Sequence, residues 1–282
     1  MSIEKILDLE QLEVNIYRGS VFSSPSGNWQ RTFGGQVAGQ SLVSAVRTVD
    51  SRYQVHSLHG YFLRPGDAKS RTVFIVERLR DGGSFATRRV NAIQHGETIF
   101  SMSASFQTDQ SGIEHQDAMP PSAPPPDDLP ELTSMRAFDD AGFKQFEEWD
   151  VRVVPRDQLV PSPGKASQQQ VWFRHRDPLP DDRVLHICSL AYMSDLTLLG
   201  SAQVHHVEER PHLQVASLDH AMWFMRPFRA DEWLLYDQAS PSASGGRSLT
   251  QGKIFTQTGE MVAAVMQEGL TRYQRDYRPN RG

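Results

Sequence analysis

VLHICSLAYMSDLTLL, residues 184–199, is apolar on nearly every side, yet it carries one carboxylate, Asp195, well inside it. A helix that is apolar all round belongs in the middle of a core. A lone carboxylate there is costly unless hydrogen-bond donors or a cation receive it. Asp195 is therefore either a paired structural group or a catalytic one. Asp181 and Asp182, just upstream, are the candidate helix caps.

Upstream of that helix, WDVRVV (149–154) alternates as a strand and QQQVWFRH (168–175) follows, both after a mixed segment from Leu132 to Phe146. The first half of the chain has the same order. Ile3 to Leu12 places apolar residues at 3, 6, 7, 9 and 12 after a possible Ser2 cap, which predicts a short amphipathic helix; EVNIY (13–17) alternates as a strand. After a turn-rich passage with Pro25, Gly27 and Asn28, GGQVAGQSLVSAVRTV (34–49) predicts a first central helix. Four strands follow between Val55 and Gln107: VHSLHGYFL, RTVFIVERLR, SFATRRVNAIQ and TIFSMSASF. They are separated by Pro65-Gly66, Asp81-Gly82-Gly83 and His95-Gly96. One helix before a meander of long antiparallel strands is an α+β pattern, and it occurs twice.

The repeat is countable. Gly82-Gly83 matches Gly245-Gly246 and Gly96-Glu97 matches Gly259-Glu260, each 163 residues on, while Arg64-Pro65 matches Arg226-Pro227 at 162. Residues 111–131, with six prolines among positions 120–130 and almost nothing apolar, predict an extended linker. It divides an N-terminal repeat, 1–110, from a C-terminal repeat, 132–282.

Positions where one half has chemistry and the other does not are candidates for a site. Gln267 stands opposite Ala104 of the first half, on a strand otherwise reading MVAAVM, where a long amide needs partners. Asp195 has no carboxylate counterpart in GQSLVSAVRTV. Ser217 opens SLDHAMWFMRP, which has two more residues between Ser-Leu and Arg-Pro than SLHGYFLRP, and this predicts a bulge or an altered turn beside it. A carboxylate, a hydroxyl and an amide together are suited to activating water: the carboxylate accepts a proton, and the other two hold the water by complementary hydrogen bonds. Helix N-terminal or strand N–H groups would stabilise an oxyanion. Hydrolysis of an activated carbonyl such as a thioester fits this set.

Composition excludes other classes. The formal charge of −5, with Lys and Arg scattered along the chain, gives no basic stripe for nucleic acid and no polybasic anchor for anionic lipid. The single cysteine, Cys188, excludes an intrachain disulfide or a Cys-based zinc cluster and reads as core packing in a reducing compartment. The N-terminus MSIEKILDLEQLE lacks a basic start and apolar run, and a cytoplasmic location is expected. There is no G-x-S-x-G, H-E-x-x-H or P-loop, and GGQVAG lacks dinucleotide-binding spacing. His205, His206, Glu208 and His212 lie in a polar loop without metal-ligand spacing, so no metal is expected. His59 reads equally as a core histidine or as a polar group near substrate.

The runs FGGQVAGQ (33–40), VHSLHGYFLRPGD (55–67), IFSMSASFQ (99–107), AYMSDL (191–196), ASLDHAMWFMRPF (216–228), EWLLY (232–236) and VMQEGLTR (265–272) resemble the acyl-CoA thioesterase II family. The resemblance implies a double hotdog, in which each repeat is a central helix wrapped by a curled antiparallel sheet. It also implies hydrolysis of fatty acyl-CoA to free fatty acid and coenzyme A without metal or organic cofactor, and further pairing into a homo-oligomer. The family's water-orienting Asp, Thr or Ser, and Gln fall on Asp195, Ser217 and Gln267. Asp219 and His220, next to Ser217, read as structural in family terms. Two other classes stay open: a non-hydrolytic acyl-CoA binding module, and a hotdog hydratase or dehydratase in which His59 would supply the base.

Overall fold

The computed structural model describes residues 2–21, 31–120, 123–132, 146–160, 162 and 164–277. The turn-rich passage around Pro25 and most of the Leu132–Phe146 segment lie outside the described residues. The first repeat runs α1 (Ile3–Leu7), β1 (Glu10–Glu13), β2 (Ile16–Arg18), α2 (Gly34–Val46), β3 (Tyr53–Phe62), β4 (Val73–Asp81), β5 (Phe85–Gln94) and β6 (Glu97–Thr108). The second runs β7 (Trp149–Val153), β8 (Ser167–His175), α3 (Arg183–Ser194), β9 (Leu213–Ser217), β10 (Asp219–Phe224), β11 (Leu234–Ser244), β12 (Arg247–Thr256) and β13 (Met261–Tyr273). This is the tandem hotdog: two long helices enclosed by one antiparallel sheet.

The sheet is continuous through both repeats, in the order β1-β2-β4-β5-β6-β3-β10-β13-β12-β11-β8-β7, with β9 also on β13. β3 and β10 meet at its centre, where His59 stands opposite Ala221. Period-two burial makes the inner face: Phe100, Met102, Ala104 and Phe106 on β6 are all buried, as are Val262, Ala263, Val265 and Gln267 on β13. Against that face α2 and α3 pack antiparallel and very close. A Cβ on Gly35 would lie 2.0 Å from the Tyr192 carbonyl oxygen, and one on Gly39 would lie 3.1 Å from that of Cys188. Two glycines one turn apart thus form the helix contact.

Several boundaries differ from expectation. The first helix stops at Leu7 and the chain becomes β1 by Glu10; within EVNIY, Val14 and Asn15 form a hairpin turn, with Asn15 at φ 61°. An Asn tolerates that left-handed conformation. The apolar helix ends at Ser194, and Leu198–Gln203 forms a 3-10 helix instead. Asp195 is therefore the C-cap of α3, not an interior residue. Asp182 is the N-cap, its side chain accepting from the Val184 N–H.

The Pro-rich segment is docked rather than free. Trp172, Trp233, Leu235 and Phe255 form a second apolar cluster, and Leu129, Met119 and Ala123 pack with them. Trp172 Nε1 donates to the Pro124 carbonyl at 2.9 Å and Arg152 to that of Leu129 at 2.6 Å. Gln116 bonds the Gly259 carbonyl and the Met261 N–H. An extended polyproline-like chain makes few bonds with itself, so its carbonyls are open to such partners.

Candidate active site

Asp195 is placed by the end of α3 and received by two donors from the sheet. Ser217 Oγ, at the end of β9, donates to Asp195 Oδ1 at 3.1 Å, and Gln267 Nε2, on β13, donates to the same oxygen at 2.6 Å. Gln267 is fully buried, and its Oε1 has no partner among the described residues. The three residues that mark the second repeat alone therefore meet. The predicted irregularity beside Ser217 is present: β13 pairs Met266 with Ala221 but Gly269 with Ser217, and Leu218 lies between β9 and β10. Asp219 uses its carboxylate there to accept the Glu268 N–H at 2.6 Å, a structural role in the bulge.

The second carboxylate oxygen faces the other repeat. A Cβ on Gly34 would lie 2.6 Å from Asp195 Oδ2 and 3.0 Å from the Phe62 ring. Gly34 opens α2; its N-cap, Phe33, provides no side-chain cap, and the N–H groups of Gly34 and Gly35 have no acceptor among the described residues. Asp195 thus stands at the negative end of its own helix and at the positive end of its neighbour. The amides of α2 were not singled out in the sequence; the paired Gly34-Gly35 before an uncapped helix was the available signal.

Ser217 and Gly34 open onto a cavity of about 430 Å³. Phe33, Val37, Phe62, Ile99 and Phe100 form its apolar wall, and Arg31 and Arg64 line it as well. The space suits a substrate with an apolar chain and a charged end. A larger cavity, about 620 Å³, lies by the N-terminus of α3 and holds none of the trio; Arg229 there is paired with Asp231 and Asp181.

The opposite end of the helix pair is arranged in reverse. Where β13 carries Gln267, β6 carries buried Ala104, and the C-cap of α2 is Arg47, not a carboxylate. Buried Arg88 closes that helix end: its Nε donates to Thr48 Oγ1 at 2.9 Å and its Nη2 to the Thr48 carbonyl at 3.0 Å, and it pairs with Asp81. A cation at a helix C-terminus is the ordinary electrostatic arrangement. A carboxylate in the same place is the exception.

His59 is not with the trio. It is exposed on the outer face of β3, its ring 4.9 Å from that of Trp223, while Leu58 and Gly60 face inward. A bulge between Val55 and Ser57 resets which parity faces the core. In the 205–212 loop, His205 bonds Arg156 and His212 stacks on Tyr277. Cys188 is buried at the helix contact, and burial pushes its thiol well up.

Comparison with known proteins agrees on family. The family profile described as acyl-CoA thioesterase matches residues 140–270, and that described as acyl-CoA thioesterase N-terminal domain matches 23–107. Mouse acyl-coenzyme A thioesterase 8 is 40% identical over 286 residues, covering 96% of this chain and 88% of its own. The crystal structure of acyl-CoA thioesterase II TesB2 from Mycobacterium marinum is 78% identical and superposes with a TM-score of 0.88, covering 98% of this chain and 100% of that one. A hot dog fold protein of unknown function from Alicyclobacillus acidocaldarius, 19% identical over 96% of this chain and 98% of its own, shares the fold with a TM-score of 0.79. With a relative this similar along almost its whole length and both repeats matched, the chain belongs to the acyl-CoA thioesterase family.

Proposed function

We propose that this protein hydrolyses fatty acyl-CoA to free fatty acid and coenzyme A by direct attack of a water molecule held by Asp195, Ser217 and Gln267. The observation that carries the reading is the convergence of Ser217 Oγ and Gln267 Nε2 on Asp195 Oδ1. Those two bonds fix the carboxylate and leave Oδ2 and the Gln267 Oε1 as acceptors for the two protons of a water. Asp195 takes one proton as the water oxygen bonds to the thioester carbon. The carbonyl oxygen becomes negative and is received by the N–H groups of Gly34 and Gly35, which have no acceptor among the described residues, aided by the α2 dipole. The C–S bond then breaks, and the proton passes from Asp195 to the leaving sulfur.

The apolar wall of Val37, Phe62, Ile99 and Phe100 is the proposed acyl site, and Arg31 and Arg64 are suited to the anionic end of the substrate. His59, on the outer face, is badly placed to supply the base that a hydratase needs. A binding module would have no use for a carboxylate fixed beside the N-terminus of α2. The proposal includes a homo-oligomer, which light scattering measures; a monomeric mass would remove that part. The test of the chemistry is thiol release from acyl-CoA. Asp195→Asn, with its circular dichroism unchanged, is expected to lose roughly 10²–10⁴-fold in kcat, and near-wild-type turnover would overturn the role of Asp195.

A further inference from the structure

Next to the trio lies a second polar cluster that the mechanism above does not use. His220, on β10, is fully buried, and its Nε2 is 2.8 Å from Ser194 Oγ. Ser194 is also fully buried, and its hydroxyl reaches the Ala191 carbonyl at 3.0 Å. The hydroxyl also lies 3.2 Å from Met222 Sδ; assigning its proton to either of these acceptors makes the imidazole the donor, with its proton on Nε2. From β11, the buried Tyr236 hydroxyl donates to the Ser194 carbonyl at 3.2 Å. Two strands thus hold the side chain and the carbonyl of the last residue of α3, one peptide bond before Asp195.

The first repeat shows what the fold requires at these places. Strand landmarks 162 residues apart put His220 on Leu58 and Tyr236 on Phe74, and aligning the two helices by their N-caps, Phe33 and Asp182, puts Ser194 on Ala45. All three counterparts are apolar and fully buried. A hotdog helix therefore ends securely without the cluster. Burying three polar side chains in its place brings desolvation and little net stability. What differs between the two helix ends is the carboxylate that follows.

We propose that His220, Ser194 and Tyr236 are positioning residues that hold Asp195 in its water-orienting geometry. Ser194 is pinned at two points, which fixes the backbone from which the Asp195 side chain projects. The Tyr236 hydroxyl also occupies one of the unpaired carbonyls at the end of α3, reducing the negative potential beside the carboxylate. Burial holds the imidazole of His220 below the usual range, so it remains a neutral donor, with Asp195 and Asp219 the charges facing it.

This inference rests on the role proposed for Asp195. The test converts the second repeat to the first: Ser194→Ala, His220→Leu and Tyr236→Phe, singly and together, with Asp195→Asn in parallel. The triple variant is expected to melt no lower than the wild type, since each change restores an apolar residue the fold accepts elsewhere. Its kcat is expected to fall at least tenfold with KM within about twofold, and His220→Gln, which keeps a donor near the Nε2 position, is expected to recover most of the loss of His220→Leu. Unchanged kcat in a folded triple variant overturns the inference, as does a lowered melting temperature with full kcat in the folded fraction. If Asp195→Asn is itself active, the underlying mechanism has failed rather than this extension of it.

Discussion

Gly34 has no room for a methyl group, because Asp195 Oδ2 and the Phe62 ring fill the space a Cβ would take. Gly34→Ala is expected to fold, since both neighbours are side chains able to turn aside, but to displace the carboxylate. A shift near 1 Å at a reacting group costs roughly 10²-fold, so a kcat loss of about that size is expected, and full activity would place Asp195 outside the chemistry. Gln267→Leu should act more sharply than Ser217→Ala, because it removes the shorter of the two bonds to Asp195 Oδ1, at 2.6 Å against 3.1 Å. Comparing kcat for the pair checks this order. Asp195, Ser217 and Gln267 were legible because the first repeat is an internal control that lacks them. His59 was not, since alternation gives the period of a strand but not its phase once a bulge intervenes. Arg88 was missed although it lies in phase with buried Ala86, Val90 and Ala92; the adjacent Arg89 on the exposed face disguised it.

At the scale of elements, the two helices explain why one end of the pair holds the site. α2 and α3 run antiparallel, so each end of the pair offers one helix N-terminus and one C-terminus. One end is neutralised conventionally, with Arg88 on the Thr48 carbonyl just past α2 and Asp182 capping α3. The other leaves the N-terminus of α2 without a side-chain cap and a carboxylate after α3. Arg88→Met is expected to destabilise by about 1–3 kcal/mol, the cost of leaving the buried Thr48 acceptors without their donors, while the folded fraction keeps its kcat. A urea midpoint equal to the wild type would contradict this. Gly35→Ala should destabilise as well, here by forcing α2 off the Tyr192 carbonyl. Helix existence was readable from apolar periodicity, but the stop at Ser194 was not. The apolar run continues to Leu199, and only the tertiary partners of Asp195 show why the helix ends before it.

At the scale of the whole molecule, the Pro-rich segment was legible as extended but not as docked, because its bonds are made by carbonyls whose partners lie elsewhere in the chain. Buried histidines set the acid side of stability. His56, His186 and His220 are each held below the usual imidazole range of about 6.5, chiefly by burial. The folded protein therefore binds fewer protons than the unfolded chain below that pH, so their contribution is present above it and is lost as pH falls through the folded values. The melting temperature is expected to fall between pH 7 and pH 5, and a flat profile would refute this. A last expectation follows from the sheet. β3 and β10 pair across the repeats, and Asp195 of one repeat faces Gly34 of the other. Neither repeat holds the α2 N-terminus and the carboxylate together. Chains 1–110 and 111–282, produced separately, are each expected to lack thioester hydrolysis, and mixing them should restore it only as far as a heterodimer forms, seen as a common peak in gel filtration. Hydrolysis by the second half alone would show that the helix of the first repeat is dispensable to the chemistry.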